Sequence, residues 1–433
     1  MSMETIGGLG IAALLLLILM RVPVAVAMGL VGFFGYVGIE GWQRATLVLG
    51  ALPNELMTGY TLSVVPLFVL MGEFANASGL SRDLYQSANA LFRGRRGSLL
   101  LATIGACAGF GAVSGSSLAT AATIGRVAVP QMQAAGYDAR LAAGTVAAGG
   151  TLGILIPPSV ILLIYAAVAR QSVPELFAAA VIPGIMLTLL YVAVVVVTLW
   201  LRPGLAPAVA IDRTGSIWRD LVALWETAFL FGVSVGGIYL GWFSPTEAAA
   251  VGAFLALAVG VGRRRLDGRR IVHAFRASAQ TTGMLFFIIL ATSMFTFFIV
   301  QSRLPAAFAG WMQGMDLGVA GVVVILTLFY LVMGCFIDGL GIILITTPLF
   351  APLVLASGFD MVWFGIYLVV IVELGLITPP VGMNLYVIAE QMPDTNMRTI
   401  FQGVLPFVAA QLFLVVLLAL FPQVVSWLPG LIY

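Results

Sequence analysis

The chain is predicted to be an all-α polytopic membrane protein built as an inverted repeat, with about ten spanning helices, two of them broken, and two re-entrant hairpins. Three observations carry that expectation. Of 433 residues, 61% are hydrophobic and 9% charged, and the mean hydropathy is +1.11, which places most of the chain in a bilayer. Two stretches, "GGTLGILIPPS" at 149–159 and "ELGLITPPVG" at 373–382, set a proline pair inside an apolar run at matching places. The positive charge, all of it arginine, falls unevenly between the segments that join the apolar runs.

A spanning helix takes about 20 apolar residues. Uninterrupted runs of roughly that length cover 5–20, 23–39, 61–78, 174–201, 226–243, 246–262, 279–300 and 404–421. The first two follow one another with no small-residue cleavage site between them, so they read as spans and not as a signal peptide. Residues 43–60 and 210–225 read as interfacial amphipathic segments. Four regions are irregular. Residues 98–132 carry "GFGAVSGSSLAT", 141–169 the first Pro-Pro, 322–353 "DGLGIILITT", and 361–390 the second Pro-Pro.

Arginine flanking a span is retained in the cytoplasm. Arg93, Arg95 and Arg96 precede the 98–132 region and Arg140 follows it, so both its ends read as cytoplasmic. The 322–353 region has sparse, partly acidic flanks (Asp316, Asp360), so both its ends read as periplasmic. Two re-entrant hairpins of opposite sense satisfy this, each with arms of about 15 residues reaching about 22 Å, and with tips at "SGSS" and "DGLG". Both termini then lie outside, and of the twenty arginines only Arg44, Arg170 and Arg303 do. Treating 98–132 as a full span would instead put the Arg263–Arg276 cluster outside.

The halves repeat. Gly153 and Gly375 are 222 residues apart, as are Pro157 and Pro379; Pro183 and Pro406 are 223 apart, Ser114 and Asp338 224. Because one hairpin opens inward and the other outward, the repeat is inverted, an arrangement on which many secondary transporters are built. The expected division is scaffold at 1–92 and 203–302, and a transport domain at 93–202 (inward-opening hairpin) and 303–433 (outward-opening hairpin).

Irregular backbone at membrane depth is tolerated where it is buried in protein or lines a wet cavity. Proline lacks an N–H and crowds the carbonyl four residues earlier, so each Pro-Pro frees backbone oxygens. A hard cation such as Na⁺ takes several oxygens, and the first half offers the hydroxyls of "SGSS" with the carbonyls of Gly153 and Ile156. The second half offers Asp338, the carbonyls of Gly339 and Gly341, and Gly375 with Thr378. A helix beginning after each break points its positive dipole end at the midplane, which suits a carboxylate. Buried acids at membrane depth are functional candidates by default: Asp338 first, then Glu373, with Glu73 and Glu247 also fitting capping or interfacial pairing. Small residues packing helices closely would be the plain alternative for "SGSS", but its pairing with a Pro-Pro break in both halves favours ligation. One histidine, His273 in a basic loop segment, and two cysteines in apolar runs, Cys107 and Cys335, exclude a His-built metal site and a disulfide framework. No lysine is present, so amine nucleophiles are excluded too.

The stretch "IGACAGFGAVSGSSLATAATIGRVAVPQMQAAGYDARLAAGTVAAGGTLGILIPPS", followed by "LFAAAVIPG" and later by "VELGLITPPVGMNLYV", resembles the large membrane subunit of TRAP (tripartite ATP-independent periplasmic) transporters. The resemblance covers essentially the whole chain. It implies an elevator-type, sodium-coupled symporter of organic acids in the bacterial inner membrane, partnered by a small four-helix membrane subunit and fed by a periplasmic substrate-binding protein. It also implies one sodium site at Ser114, Ser116, Gly153, Ile156 and Pro158, and a counterpart at Gly339, Gly341, Gly375, Thr378 and Pro380. Substrate contacts are implied at Ser117, Ser159, Asp338 and Asn384. The first apolar run begins near residue 5, so the small subunit is expected to be a separate chain; no organic cofactor and no nucleic acid are expected. A stand-alone ion-coupled carboxylate or anion transporter would share the architecture without partners. An intramembrane enzyme would need a nucleophile and base within reach, for which the lone His273 is poorly placed.

Overall fold

The computed structural model describes residues 2–207, 225–314, 318–334, 337, 339–379 and 382–433, and every regular element among them is helical. The first half runs through Met3–Leu19, Val24–Glu40, Trp42–Thr58, Val64–Ala77 and Leu80–Phe92. It continues with Ser98–Ser114, Ser117–Ala134, Ala139–Leu155, Val160–Ala169 and Val173–Leu201. The second half runs through Trp225–Tyr239, Pro245–Gly262, Gly268–Gln301 and Leu304–Gln313. It ends with Gly318–Gly334, Gly339–Ala356, Met361–Leu376, Met383–Gln391 and Met397–Leu420, followed by two short turns. Among the described residues, five helices are long and apolar enough to cross a bilayer, and two bent pairs are so when each is taken as one span.

Both irregular pairs fold back as hairpins. Along Ala139–Leu155, Gly153 lies against Gly111 and Thr120, Gly149 against Cys107, Gly150 against Ser117 and Ala121, and Val146 against Gly125. Descending that helix, residue numbers fall in one arm and rise in the other, so the arms are antiparallel and the turn lies at 115–116. Gly115 (φ +61°) ends the first arm in the left-handed conformation that glycine adopts without strain. Ser116 starts the second arm as its N-cap, its hydroxyl accepting the Ala119 N–H.

In the second half Gly375 lies against Gly334, Val372 against Gly339, and Tyr367 bonds to Thr327 at 2.7 Å. Tyr330 reaches Thr346 at 3.0 Å. The same antiparallel logic follows. Gly111 on Gly153 thus has its counterpart in Gly334 on Gly375, 223 and 222 residues on.

The halves are interlocked. Val160–Ala169 packs on Gly339–Ala356, and Met383–Gln391 on Ser117–Ala134, so the segment after each break serves the other half's hairpin. Met397–Leu420 lies along Ala139–Leu155, and Val173–Leu201 along Met361–Leu376. The repeat also reaches the outer helices: Val24–Glu40 packs along Gly268–Gln301, as Pro245–Gly262 does along Val64–Ala77.

Two local features differ from the sequence expectation. The run 61–78 does not stand alone: Val64–Ala77 is followed by Leu80–Phe92 at a 66° bend, because Ser78 and left-handed Gly79 (φ +79°) close the helix and a new one opens. The basic segment around His273 is not a loop but the first turns of Gly268–Gln301, capped by Asp267, whose Oδ1 accepts the Arg270 N–H at 2.8 Å. Residues 43–60 do form a helix, while 210–224 lie outside the described residues.

At one end of the molecule Asp83 accepts from Arg263 (3.1 Å) and Arg265 (2.5 Å), and Arg263 also pairs with Glu226. Arg265 further donates to the Ser78 carbonyl at 3.3 Å. These contacts tie the start of Leu80–Phe92 to the loop joining two helices of the other half. At the opposite end Glu40 pairs with Arg44 and Gln301. Arg263 and Arg265, which the charge reading puts on one side, thus sit at the start of Gly268–Gln301, and Arg44, which it puts on the other, lies near the end of that helix.

Candidate functional site

Ala139–Leu155 ends because Pro157 has no N–H for the Gly153 carbonyl and Pro158 none for Ile154. Ile156, the C-cap, is extended (φ −88°, ψ 119°), the Pro157–Pro158 bond is cis, and Ser159 caps the next helix by accepting the Leu162 N–H at 3.3 Å. The first hairpin tip sits directly over this break. A Cβ on Gly115 would stand 2.9 Å from the Pro158 carbonyl oxygen and 3.2 Å from the Val160 nitrogen; one on Gly153 would stand 2.8 Å from the Ser116 carbonyl oxygen. Only glycine at both positions lets the two backbones meet. The structure therefore brings Ser114, Ser116, Gly153 and Pro158 to one place, with Ile156 in the break itself.

Thr120 completes the group and was missed in the sequence. Its hydroxyl donates to the Ser116 carbonyl at 2.7 Å and lies 2.8 Å from Ser114 Oγ. With its one proton given to Ser116, Thr120 accepts from Ser114. Its signal was its place four residues after Ser116, on the face that meets Gly153. The donors are all hard oxygens, uncharged, and suited to a monovalent cation rather than to a transition metal. The tip also meets the outer helices: Met71, Leu230, Phe231 and Ser234 surround Ala112, Val113 and Pro158, and Gly72 lies under the Val113 carbonyl.

Of the expected substrate contacts, Ser117 and Asn384 are joined. Asn384 Nδ2 donates to Ser117 Oγ at 2.8 Å and to the Ala147 carbonyl at 3.3 Å, and both side chains are buried. Ser159 is buried too, but it caps its own helix next to Ile161, which lies against Gly339 of the second hairpin.

The second break is built differently. Ile377 and Thr378 tighten the helix end, their N–H groups donating to Leu374 and Gly375 carbonyls at 3.2 Å, and Thr378 Oγ1 donates back to Leu374 at 2.6 Å. Gly382 (φ +59°) then leads into Met383–Gln391. Gly375 meets Gly334, and Gly339 meets Val372, so the arms on either side of the second tip lie against the helix that leads into its break. Gly341 is buried in the same arm. Asp338 and Pro380 lie outside the described residues, as does Cys335.

The remaining candidates resolve into structural roles. Glu247 closes a capping box with Ser244, accepting its backbone N–H at 2.8 Å. Glu73 is half-buried and faces His273, itself exposed. Cys107 is buried against Gly149. One Gly-x-Ser-x-Gly string that the sequence reading overlooked, "GVSVG" at 232–236, sits within a helix, with Ser234 Oγ donating to the Ala248 carbonyl at 3.3 Å, and not on a strand-to-helix turn of the kind a nucleophile uses.

Interlocked halves with opposed hairpins and broken helices define a multi-pass membrane transporter. The comparisons with known proteins agree. Residues 11–424 match the family model described as "Tripartite ATP-independent periplasmic transporter, DctM component", and the chain belongs to that family. It is 36% identical to the C4-dicarboxylate TRAP transporter large permease protein DctM of Pseudomonas aeruginosa, over 87% of this chain and 88% of that one. It is 31% identical to the sialic acid TRAP transporter large permease protein SiaM of Vibrio cholerae, over 89% of each. In fold it is similar to the YdaH transporter of Alcanivorax borkumensis (TM-score 0.62, 17% identity, 86% of this chain and 87% of that one).

Proposed function

We propose that this TRAP large permease carries out sodium-coupled uptake of an organic carboxylate across the bacterial inner membrane. One observation carries the reading. Where the first hairpin tip crosses the Pro-Pro break, the Ser116 and Thr120 oxygens meet over Gly153 and the Pro158 carbonyl lies against Gly115, the tip's turn residue, and these oxygens would form a cradle for Na⁺ made and unmade by movement of the tip. The counterpart at Gly339, Gly341, Gly375, Thr378 and Pro380 takes a second ion, and the carboxylate docks between Ser117, Asn384, Ser159 and Asp338. The segments 93–202 and 303–433 travel together as an elevator against 1–92 and 203–302, with both termini periplasmic. A cavity of about 960 Å³ between these two parts supports that division; it is lined by Tyr36, Glu55, Arg170, Thr292, Phe297 and Gln301 among others.

The cargo is delivered by a periplasmic binding protein, and a small membrane subunit completes the transporter. A relative at 31% identity, the isethionate TRAP transporter permease protein DctMQ of Oleidesulfovibrio alaskensis, supports the second of these, since this chain covers only 65% of it. The test begins with a thermal-shift screen of organic acids against the cognate binding protein. The identified acid is then followed into proteoliposomes holding both membrane subunits. Uptake should require Na⁺ and the binding protein, and Ser116→Ala should reduce it without loss of expression. Full-rate uptake in choline buffer, or without the binding protein, would sink the proposal.

A further inference from the structure

Gly268–Gln301 has 34 residues, about 51 Å of helix, and outruns the roughly 30 Å hydrocarbon core of a bilayer. The surplus is its charged start, 268–276, which stands at headgroup level. There Arg269, Arg270, His273 and Arg276 line a cavity of about 780 Å³, together with Val272 and with Ala77 of the neighbouring helix. The acids nearby are engaged elsewhere. Asp83 and Glu226 pair with Arg263 and Arg265, Asp267 accepts the Arg270 backbone N–H, and Glu73 faces His273. Among the described residues no carboxylate forms an ion pair with Arg269, Arg270 or Arg276. Arg270 alone of the three reaches a neighbour, the Arg265 carbonyl at 2.7 Å. Guanidinium groups gathered around one cavity without a counter-ion repel one another, so the cavity favours an anion.

The rest of the face tells which anion. Arg269, Val272, His273 and Arg276 follow the i, i+3, i+4, i+7 spacing of one helix face, and Gly283, Met284 and Phe287 continue it. This is the outer face, for the buried residues Ala274, Ser278 and Leu285 lie on the opposite side. Val272, Met284 and Phe287 are each at least 51% exposed, and a Cβ on Gly283 would meet nothing within 4 Å. From Arg276 to Phe287 the helix rises about 16 Å, close to half of the roughly 30 Å core. Cations at headgroup level thus head an open apolar stripe about one leaflet deep.

A soluble anion would use the cations and leave the stripe bare, and an acidic protein segment would meet a stripe that runs into the bilayer. A phospholipid uses both. We propose that this face binds an anionic phospholipid of the cytoplasmic leaflet, its phosphate held by Arg269, Arg270 and Arg276 and an acyl chain lying over Met284 and Phe287. Guanidinium groups bind phosphate oxygens through paired hydrogen bonds, and basic pockets on the cytoplasmic side of membrane proteins suit such headgroups. The site lies away from the sodium and carboxylate positions and stands or falls independently of them. Its lipid would tie to the leaflet a helix of the part that stays still while the hairpins travel.

Thermal unfolding of the purified membrane complex in a non-ionic detergent tests this, titrated with dioleoylphosphatidylglycerol, with dioleoylphosphatidylcholine, and with glycerol phosphate as a headgroup without chains. Phosphatidylglycerol should raise the unfolding midpoint at far lower concentration than phosphatidylcholine, and glycerol phosphate should leave it unmoved. A basic residue facing anionic lipid contributes about fivefold in affinity, so Arg269→Gln with Arg276→Gln should need about 25-fold more phosphatidylglycerol for the same shift. Phe287→Ser should weaken the lipid response as well, while Arg303→Gln, at the far end of the helix, should titrate as the wild type does. Native mass spectrometry of the same samples should show phosphatidylglycerol retained by the wild type and lost from the double variant. Equal shifts with the two lipids, a wild-type titration in the double variant, or no response of the complex, as when a partner subunit covers this face, would each overturn the proposal. A response to glycerol phosphate equal to that to phosphatidylglycerol would make this a free-phosphate site and overturn it too.

Discussion

Gly153→Ala puts one methyl group where the first hairpin tip crosses the break. The added Cβ would stand 2.5 Å from Thr120 Oγ1 and 2.8 Å from the Ser116 carbonyl oxygen. The first neighbour is a short, buried side chain held by two hydrogen bonds and the second is backbone, so neither yields without moving the tip. Overpacking of this kind costs about 1–3 kcal/mol. Exchanging glycine for alanine inside a helix returns about 0.5–1 kcal/mol. The remainder reaches about 2.5 kcal/mol, and the middle of the range, near 1.4 kcal/mol, is on the order of tenfold in sodium affinity. Thermal unfolding of the purified protein in NaCl against choline chloride measures it. Sodium that binds only the folded state stabilises it by RT ln(1 + [Na⁺]/Kd), so the variant should need about tenfold more Na⁺ for the same shift. Gly38→Ala is the control, since nothing lies within 4 Å of its added Cβ, and its sodium response should match the wild type. A wild-type sodium midpoint in Gly153→Ala would refute the placement of the ion at this crossing.

Asn384→Ala removes the amide that holds Ser117 and should cost about 1–3 kcal/mol, the range for orphaning a buried partner, read as a lowered melting temperature in detergent. Tyr191→Phe cuts the buried chain from Thr151 through Tyr191 and Gln411 to the Val370 carbonyl. A similar loss is expected, and a double-mutant cycle with Gln411→Leu should show coupling, because either change breaks the same chain. Asp83→Asn leaves Arg263 and Arg265 without their shared carboxylate; these arginines are about one-third exposed, so the loss should lie between the surface and buried limits, about 1–3 kcal/mol. Its test is salt: the gap between variant and wild type should narrow as ionic strength rises.

What could be read from the sequence was what geometry makes irreplaceable. Gly115, Gly153 and Gly375 stand where a Cβ would meet backbone or buried side chains, and Pro157 and Pro158 remove particular donors; no other residue does these things, so the letters disclose the breaks, the tips and the inverted repeat. The outer helices obey the same repeat, Val24–Glu40 mirroring Pro245–Gly262, yet nothing in their letters says so. Their faces meet lipid or one another through Leu, Val and Ala, which exchange freely at little cost, so divergence leaves the packing intact while erasing the likeness. The stop at Ser78–Gly79 was legible in "NASGLS", and the apolar run ends there; the helix Leu80–Phe92 that follows was not, because its polar residues hide it from a reading for apolar runs. Thr120 and Glu373 were harder for a different reason. Each takes its place from a partner far along the chain, Gly153 for one and Ser117 for the other, and only the fold-back of the hairpin brings them within reach. A buried acid reads as a functional candidate from its letter alone; that it faces the opposite half's tip, with no arginine to answer it among the described residues, is a property of the interlocked halves.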